Sequence, residues 1–207
     1  MGVKYPEKEE GEINDITLLE PEGVYSYADY LKWTFEERVE IIKGKIFKMS
    51  AAPATKHQEV STILGGEIYN HIKGKPCKVF YAPFDIRFPK NLTDSDEETF
   101  TVVQPDISVI CDLSKLDEAG CKGAPDLIVE ILSPSTSSKD LKEKFWLYEE
   151  HKVKEYWVVY PGENIIELFL LDNEGSFRSK GKFVEGDTIE SSVLSGFSIQ
   201  INDVFKS

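Results

Sequence analysis

The run Ala124-Pro125-Asp126-Leu127-Ile128-Val129-Glu130-Ile131-Leu132 decides how this chain folds. Apolar, largely β-branched residues bounded by a proline read as a strand buried on both faces. Glu130 sits inside that run, and a buried carboxylate needs a partner. Upstream, Gln104-Pro105 leads into a second strand, Asp106 to Cys111 (DISVIC). Downstream, the cap-rich stretch Ser133-Pro134-Ser135-Thr136-Ser137 precedes a helix over about Ser138 to His151. A strand from Glu155 to Tyr160, a turn at Pro161-Gly162-Glu163-Asn164 and a returning strand from Ile165 to Leu171 follow.

The N-terminal half repeats this mixture. Ser26 is placed to cap a short helix ending near Trp33, and Glu40 to Met49 reads as two strands turning at Lys43-Gly44. Thr55 is expected to cap a helix from Lys56 to about Lys73, in which Val60, Ile63, Leu64, Ile68 and Ile72 recur at steps of three and four. Gly74 and Pro76 stop it. Lys78 to Phe88 alternates like one strand, Asn91 to Thr99 is an acidic loop, and short β-segments are expected around Gly175, Gly186 and Gly196. The fold class is therefore α/β or α+β, a mixed sheet with helices between and beside its strands and additional β-hairpins. Residues 1 to 20 read as a mobile acidic tail, and 21 to 207 as one domain.

The chain has 207 residues, 24 basic against 37 acidic, for a net charge of −13. That balance argues against a general non-specific nucleic-acid binder, while allowing a local basic groove or an acidic site for cations. Cys77, Cys111 and Cys121 are odd in number and without CxxC spacing, so free thiols in a reducing cytoplasm are expected. No apolar run is long enough to span a bilayer, so the expectation is a cytoplasmic protein without a membrane partner.

The candidate chemistry lies where the two central strands pair. If they run antiparallel in the simplest register, Asp106 faces Glu130 and Ile110 faces Asp126. Opposed residues have Cβ atoms ~5 Å apart, so two ionised carboxylates there require a cation or a proton. A divalent metal with oxygen ligands meets that need. Asp126 shares the face of Glu130 but lies ~13 Å along the strand, and it reads as a strand-opening residue.

The chain resembles the PD-(D/E)XK nuclease superfamily and, more narrowly, the Uma-two family of restriction-type endonucleases. The resemblance rests on Glu40-Ile41-Ile42-Lys43-Gly44 with Met49-Ser50, His57 opening a helix, Gln104-Pro105-Asp106, the Ala124 to Thr136 segment, Asp140, Lys144 and Tyr148, and the run Glu155 to Pro161. It covers about residues 24 to 205. It implies a restriction-endonuclease-like central mixed sheet flanked by helices. It also implies magnesium, with manganese as a substitute, at Asp106 and Glu130, joined by the backbone carbonyl of Ile131. The superfamily's lysine is expected two residues after the acid, where this chain has Leu132. The family pattern instead places a lysine on the next helix, matching Lys144.

Helical geometry supports that assignment. With Lys144 at zero, Leu147, Tyr148, Leu141 and Phe145 fall within about 100° of it, whereas Lys139 and Lys142 point about 140° to 160° away. Glu40, His57 and Gln104 are supporting candidates. His57 also reads as a capping or structural histidine. Lys43, Lys45, Lys48 and Lys56 read either as a phosphate groove or as a solvated face. The expected function is an endonuclease hydrolysing nucleic acid, with DNA as substrate, and a homodimer is a possible assembly. The competing reading is an inactive binding or oligomerisation module on the same fold.

Overall fold

The computed structural model describes residues 11–49, 54–133 and 138–206. Its elements in chain order are α1 (Tyr27–Tyr30), β1 (Val39–Ile42), β2 (Lys45–Lys48), α2 (Thr55–Ile72), β3 (Lys78–Tyr81), β4 (Ile86–Arg87), β5 (Val102–Val103), β6 (Ile107–Ile110), β7 (Leu116–Asp117), β8 (Gly120–Lys122) and β9 (Leu127–Ile131). Then follow α3 (Ser138–Glu150), β10 (Glu155–Tyr160), β11 (Ile165–Leu171), β12 (Phe177–Phe183), β13 (Thr188–Glu190), β14 (Ser198–Gln200) and α4 (Ile201–Val204).

Six of these strands form the central mixed sheet, in the order β12-β11-β10-β9-β6-β3. β9 and β10 run parallel, with α3 as their connection, and the other neighbours are antiparallel. A second six-stranded sheet, β2-β1-β5-β4-β8-β7, lies beside it, and β13 pairs with β14 as a separate hairpin. The expected mixed sheet flanked by helices is present, together with this second sheet.

Alternation along the strands divides the core in two. Ile107, Val109, Leu127, Val129, Ile131, Trp157 and Val159 face Val60, Leu64, Ile68 and Ile72 of α2. Ile110, Ile128, Tyr156 and Val158 face Leu147 and Tyr148 of α3, together with Ile42, Ile86 and Val103 of the second sheet. β9 is buried at every position, as its composition predicts. α2 approaches β3 closely at Gly65, where a Cβ would meet the Tyr81 ring at 2.1 Å. The β1–β2 turn has positive φ at both Lys43 and Gly44, 52° and 79°, the signature of a two-residue hairpin turn that matches strand twist.

Several expectations need correction. The run from Lys78 to Phe88 is two strands in different sheets, because Pro83 brings no N–H to a ladder and the chain turns there. Thr55 is the first helical residue of α2 rather than its cap, a position held by Ala54. The expected tail is part of the fold from residue 13 onward. The Ile13 N–H donates to the Lys32 carbonyl at 2.9 Å, and Leu19 is buried against Tyr25, Tyr27 and Val102. Residues 1–10 of that tail, and the capping roles expected of Ser135, Thr136 and Ser137, lie outside the described residues. Finally, Cys77 and Cys111 form a disulfide, and only Cys121 is free. The pairing follows from register, since Lys78 opposes Ile110 and the next step brings the two cysteines together. Two of the three thiols that suggested a reducing compartment are therefore joined.

Candidate active site

The β6–β9 register pairs Ile107 with Val129, Ser108 with Ile128 and Val109 with Leu127. Extended by one step, it sets Asp106 opposite Glu130, the arrangement expected from sequence. Asp106 Oδ2 accepts the Ile131 N–H at 2.7 Å, which holds the carboxylate across the strand pair. Its Oδ1 lies 3.3 Å from His57 Nε2, near the N-terminal end of α2. Asp126 stands at the far end of β9. There Oδ2 accepts the Cys111 N–H at 2.7 Å and Oδ1 meets Lys154 at 2.6 Å. It does not reach the Glu130 group.

Glu40 comes from β1 in the second sheet and is buried. Its Oε1 accepts the Gln104 N–H at 2.8 Å and Lys144 Nζ at 2.9 Å. The same ammonium donates to Glu130 Oε1 at 3.0 Å. One turn later on α3, the Tyr148 hydroxyl donates to that oxygen at 2.5 Å. Leu132 occupies the position of the superfamily's strand lysine, and the ammonium beside Glu130 belongs to the helix.

Glu40, His57, Asp106, Glu130 and Lys144 line one cavity of about 140 Å³, with Arg38, Lys48, Gln104, Ile131 and Tyr156 among its other walls. Of the four lysines weighed as a phosphate groove, only Lys48 lines it. Lys43 pairs with Glu150, Lys45 lies beside Glu22, and Lys56 bonds Asn164.

Electrostatics follow from the crowding. Burial, joined by the charges of Asp106 and Glu40 and opposed by Lys144, pushes the Glu130 carboxyl up to about 7. Lys144 is held well above the ordinary lysine value: burial opposes this, but Glu130 and Glu40 outweigh it. Burial would also lower His57, yet its hydrogen bond and charge interaction with Asp106 carry it above the ordinary histidine value.

Three carboxylates thus share the cavity with one buried ammonium. Among the described residues no group of three His, Cys, Asp or Glu side chains is arranged as a metal cluster. The donor set still suits a hard cation. Asp106 and Glu130 present carboxylate oxygens from adjacent strands, the Ile131 peptide lies against Asp106, and the negative excess favours a divalent charge.

Gln104 anchors a further network. Its Nε2 donates to Asp85 Oδ1 at 2.8 Å and to the Tyr30 hydroxyl at 3.2 Å, while its Oε1 accepts from Arg38 Nη2 at 3.0 Å. The Tyr27 hydroxyl donates to the other Asp85 oxygen at 2.9 Å. Sequence reading missed Asp85, Tyr27, Tyr30 and Arg38, because their convergence depends on the second sheet. Tyr148 had a signal: it lies four residues from Lys144 on the same helical stripe.

No helix among the described residues is long and apolar enough to cross a membrane. A family model for Uma2, described as "Putative restriction endonuclease", matches residues 27–202. A Synechocystis protein, slr1290, itself uncharacterized, is 26% identical over 155 residues, spanning 73% of this chain and 77% of the relative. A crystal structure of "a putative nuclease belonging to DUF820" from Anabaena variabilis superposes with a TM-score of 0.68 at 20% identity, over 87% of this chain and 97% of that one. That likeness is one of fold.

Proposed function

The chain belongs to the Uma2 family and has a restriction-endonuclease-like fold, and from that premise we propose that it is a magnesium-dependent endonuclease hydrolysing phosphodiester bonds, with DNA as substrate. The observation that carries this reading is Lys144, whose ammonium bridges Glu40 and Glu130 while Asp106 stands in register across from Glu130. Asp106 and Glu130, with the Ile131 carbonyl, would hold Mg²⁺ or Mn²⁺. Such an ion supplies a bound water of lowered pKa and neutralises charge on the scissile phosphate.

The protein's own groups have separable tasks. Lys144 presents a fixed positive charge to the negative charge that develops on the phosphate. Glu40 holds that ammonium in place and is itself fixed by the Gln104 N–H. Tyr148 orients Glu130, and the Ile131 N–H with His57 orients Asp106.

A binding module on the same fold is the competing reading, favoured by Leu132 and by the net charge of −13. The ammonium supplied by Lys144 weighs against it, because it gives the acidic group the cation that Leu132 lacks. Calorimetry with Mn²⁺ tests the metal site: the wild type should bind, Asp106→Asn and Glu130→Gln should not, and Asp126→Asn should. Loss of binding in a folded Asp126→Asn would refute the assignment. Salt-dependent DNA binding without metal-stimulated cleavage would mark the binding module.

A further inference from the structure

One group in the cavity has no task in the scheme above. Tyr156 on β10 is fully buried, and its hydroxyl has no hydrogen-bond partner. It lines the same cavity as Asp106, Glu130 and Lys144. The parallel register puts Tyr156 beside Ile128, two residues before Glu130 and so on the same sheet face. Aromatic neighbours fix its ring: Tyr148, Phe169 and Phe177 have centroids 5.1, 6.0 and 5.9 Å away.

A buried hydroxyl without a partner costs stability, and phenylalanine would fill the same volume without that cost. Tyr148, on the facing helix, shows the satisfied alternative, because its hydroxyl is spent on Glu130. Burial, with the charge of Glu130 next, holds the Tyr156 phenol well above its ordinary value, so it keeps its proton at neutral pH. It is thus a neutral donor in a cavity whose acids can offer only acceptors once ionised. An anion entering among carboxylates gains from such a donor, which lines the same cavity as the cationic Arg38, Lys48 and Lys144.

We propose that the Tyr156 hydroxyl is a substrate-contacting donor that hydrogen-bonds a phosphate oxygen of the nucleotide held in the cavity. The identity of that phosphate rests on the nuclease reading. Hydrogen bonds to charged groups of this kind are worth roughly ten- to hundredfold in affinity or rate.

The test compares full-length wild type, Tyr156→Phe and Tyr148→Phe by melting temperature, by calorimetric binding of thymidine 5′-monophosphate with Mn²⁺ present, and by cleavage of a single-stranded oligonucleotide. Tyr156→Phe should melt at or above the wild type, bind the nucleotide about tenfold more weakly and lose roughly ten- to hundredfold in kcat/KM. Tyr148→Phe should melt lower, having lost a made bond. If Tyr156→Phe binds and cleaves like the wild type, the contact is refuted and the nuclease reading stands. If Tyr156→Phe melts as far below the wild type as Tyr148→Phe, the hydroxyl has a structural partner and the contact is likewise refuted. If the wild type binds the nucleotide but cleaves nothing, and Tyr156→Phe weakens that binding, the nuclease reading falls and the contact stands. Absence of nucleotide binding by the wild type refutes the contact, and only absence of cleavage refutes the nuclease reading.

Discussion

The central sheet buries two glutamates on neighbouring strands, and they are handled in opposite ways. Glu155, at the start of β10, accepts Trp157 Nε1 at 2.6 Å, the Ser192 and Val193 N–H groups at 2.8 and 3.0 Å, and the Ser191 hydroxyl at 3.1 Å. Neutral donors surround it, and no other carboxylate is among its partners. Glu130, near the end of β9, shares its space with Glu40 and Asp106, has Lys144 and Tyr148 on one oxygen, and borders a cavity. Burial alone therefore does not mark function. A structural carboxylate is saturated by neutral donors and stitches two segments together. Glu130 is instead crowded by its own kind, at a free-energy cost that a cation or a bound proton offsets.

The sharpest way to break this contrast is to remove the shared ammonium. Lys144→Met leaves Glu40 and Glu130 buried without their cation, which should cost about 3–5 kcal/mol and lower cleavage by ~10² or more. The control Lys142→Met, on the exposed face of α3, should be nearly normal in both respects. Denaturant unfolding and a nucleic-acid cleavage assay read the two effects, and equal behaviour of both variants would undo the role given to Lys144.

Glu155→Ala tests the other half. It strands the Trp157 and backbone donors, so stability should fall by about 2–3 kcal/mol. Cleavage measured below the new melting temperature should stay near wild type. A selective loss of activity at full folding would place Glu155 with the site.

A pH titration separates the glutamates more finely. The Glu130 carboxyl is raised to about 7 from an ordinary 4.5. A raised acid favours the folded state most while it is protonated. Its contribution is therefore complete below pH about 4.5 and is lost as pH rises through about 7. Glu130→Gln should remove that slope from the stability profile and melt at or above wild type near pH 8, while abolishing cleavage. An unchanged slope would show that Glu130 is already ionised throughout.

The smallest effect belongs to Asp126→Asn. Lys154 is largely exposed, so the change should cost only about 1 kcal/mol, mostly through the Cys111 N–H.

Much of this was legible in the sequence where short-range rules govern it. The opposition of Asp106 to Glu130 is the simplest register of two neighbouring antiparallel strands, and the placement of Lys144 follows from the apolar stripe of α3. The first rests on two apolar runs long enough to be recognised as strands, and the second on the period of one helix. The rest was set by contacts far apart in sequence. Nothing around residue 85 announces that Asp85 will accept from Gln104 and Tyr27, 19 and 58 positions away. The second sheet is assembled from strands of two to four residues, too short to show a period. The Cys77–Cys111 pairing likewise needs the β3–β6 register, which spacing between cysteines does not carry.

The most direct test is cleavage itself. Supercoiled DNA, single-stranded DNA and RNA are incubated with wild type, Asp106→Asn and Asp126→Asn, with and without Mg²⁺ or Mn²⁺. The wild type and Asp126→Asn should cleave DNA only when the metal is present, and folded Asp106→Asn should leave every substrate intact. Metal-independent cleavage, cleavage surviving in Asp106→Asn, or a wild type inert on all three substrates would contradict the assignment of this cavity as a metal-dependent nuclease site.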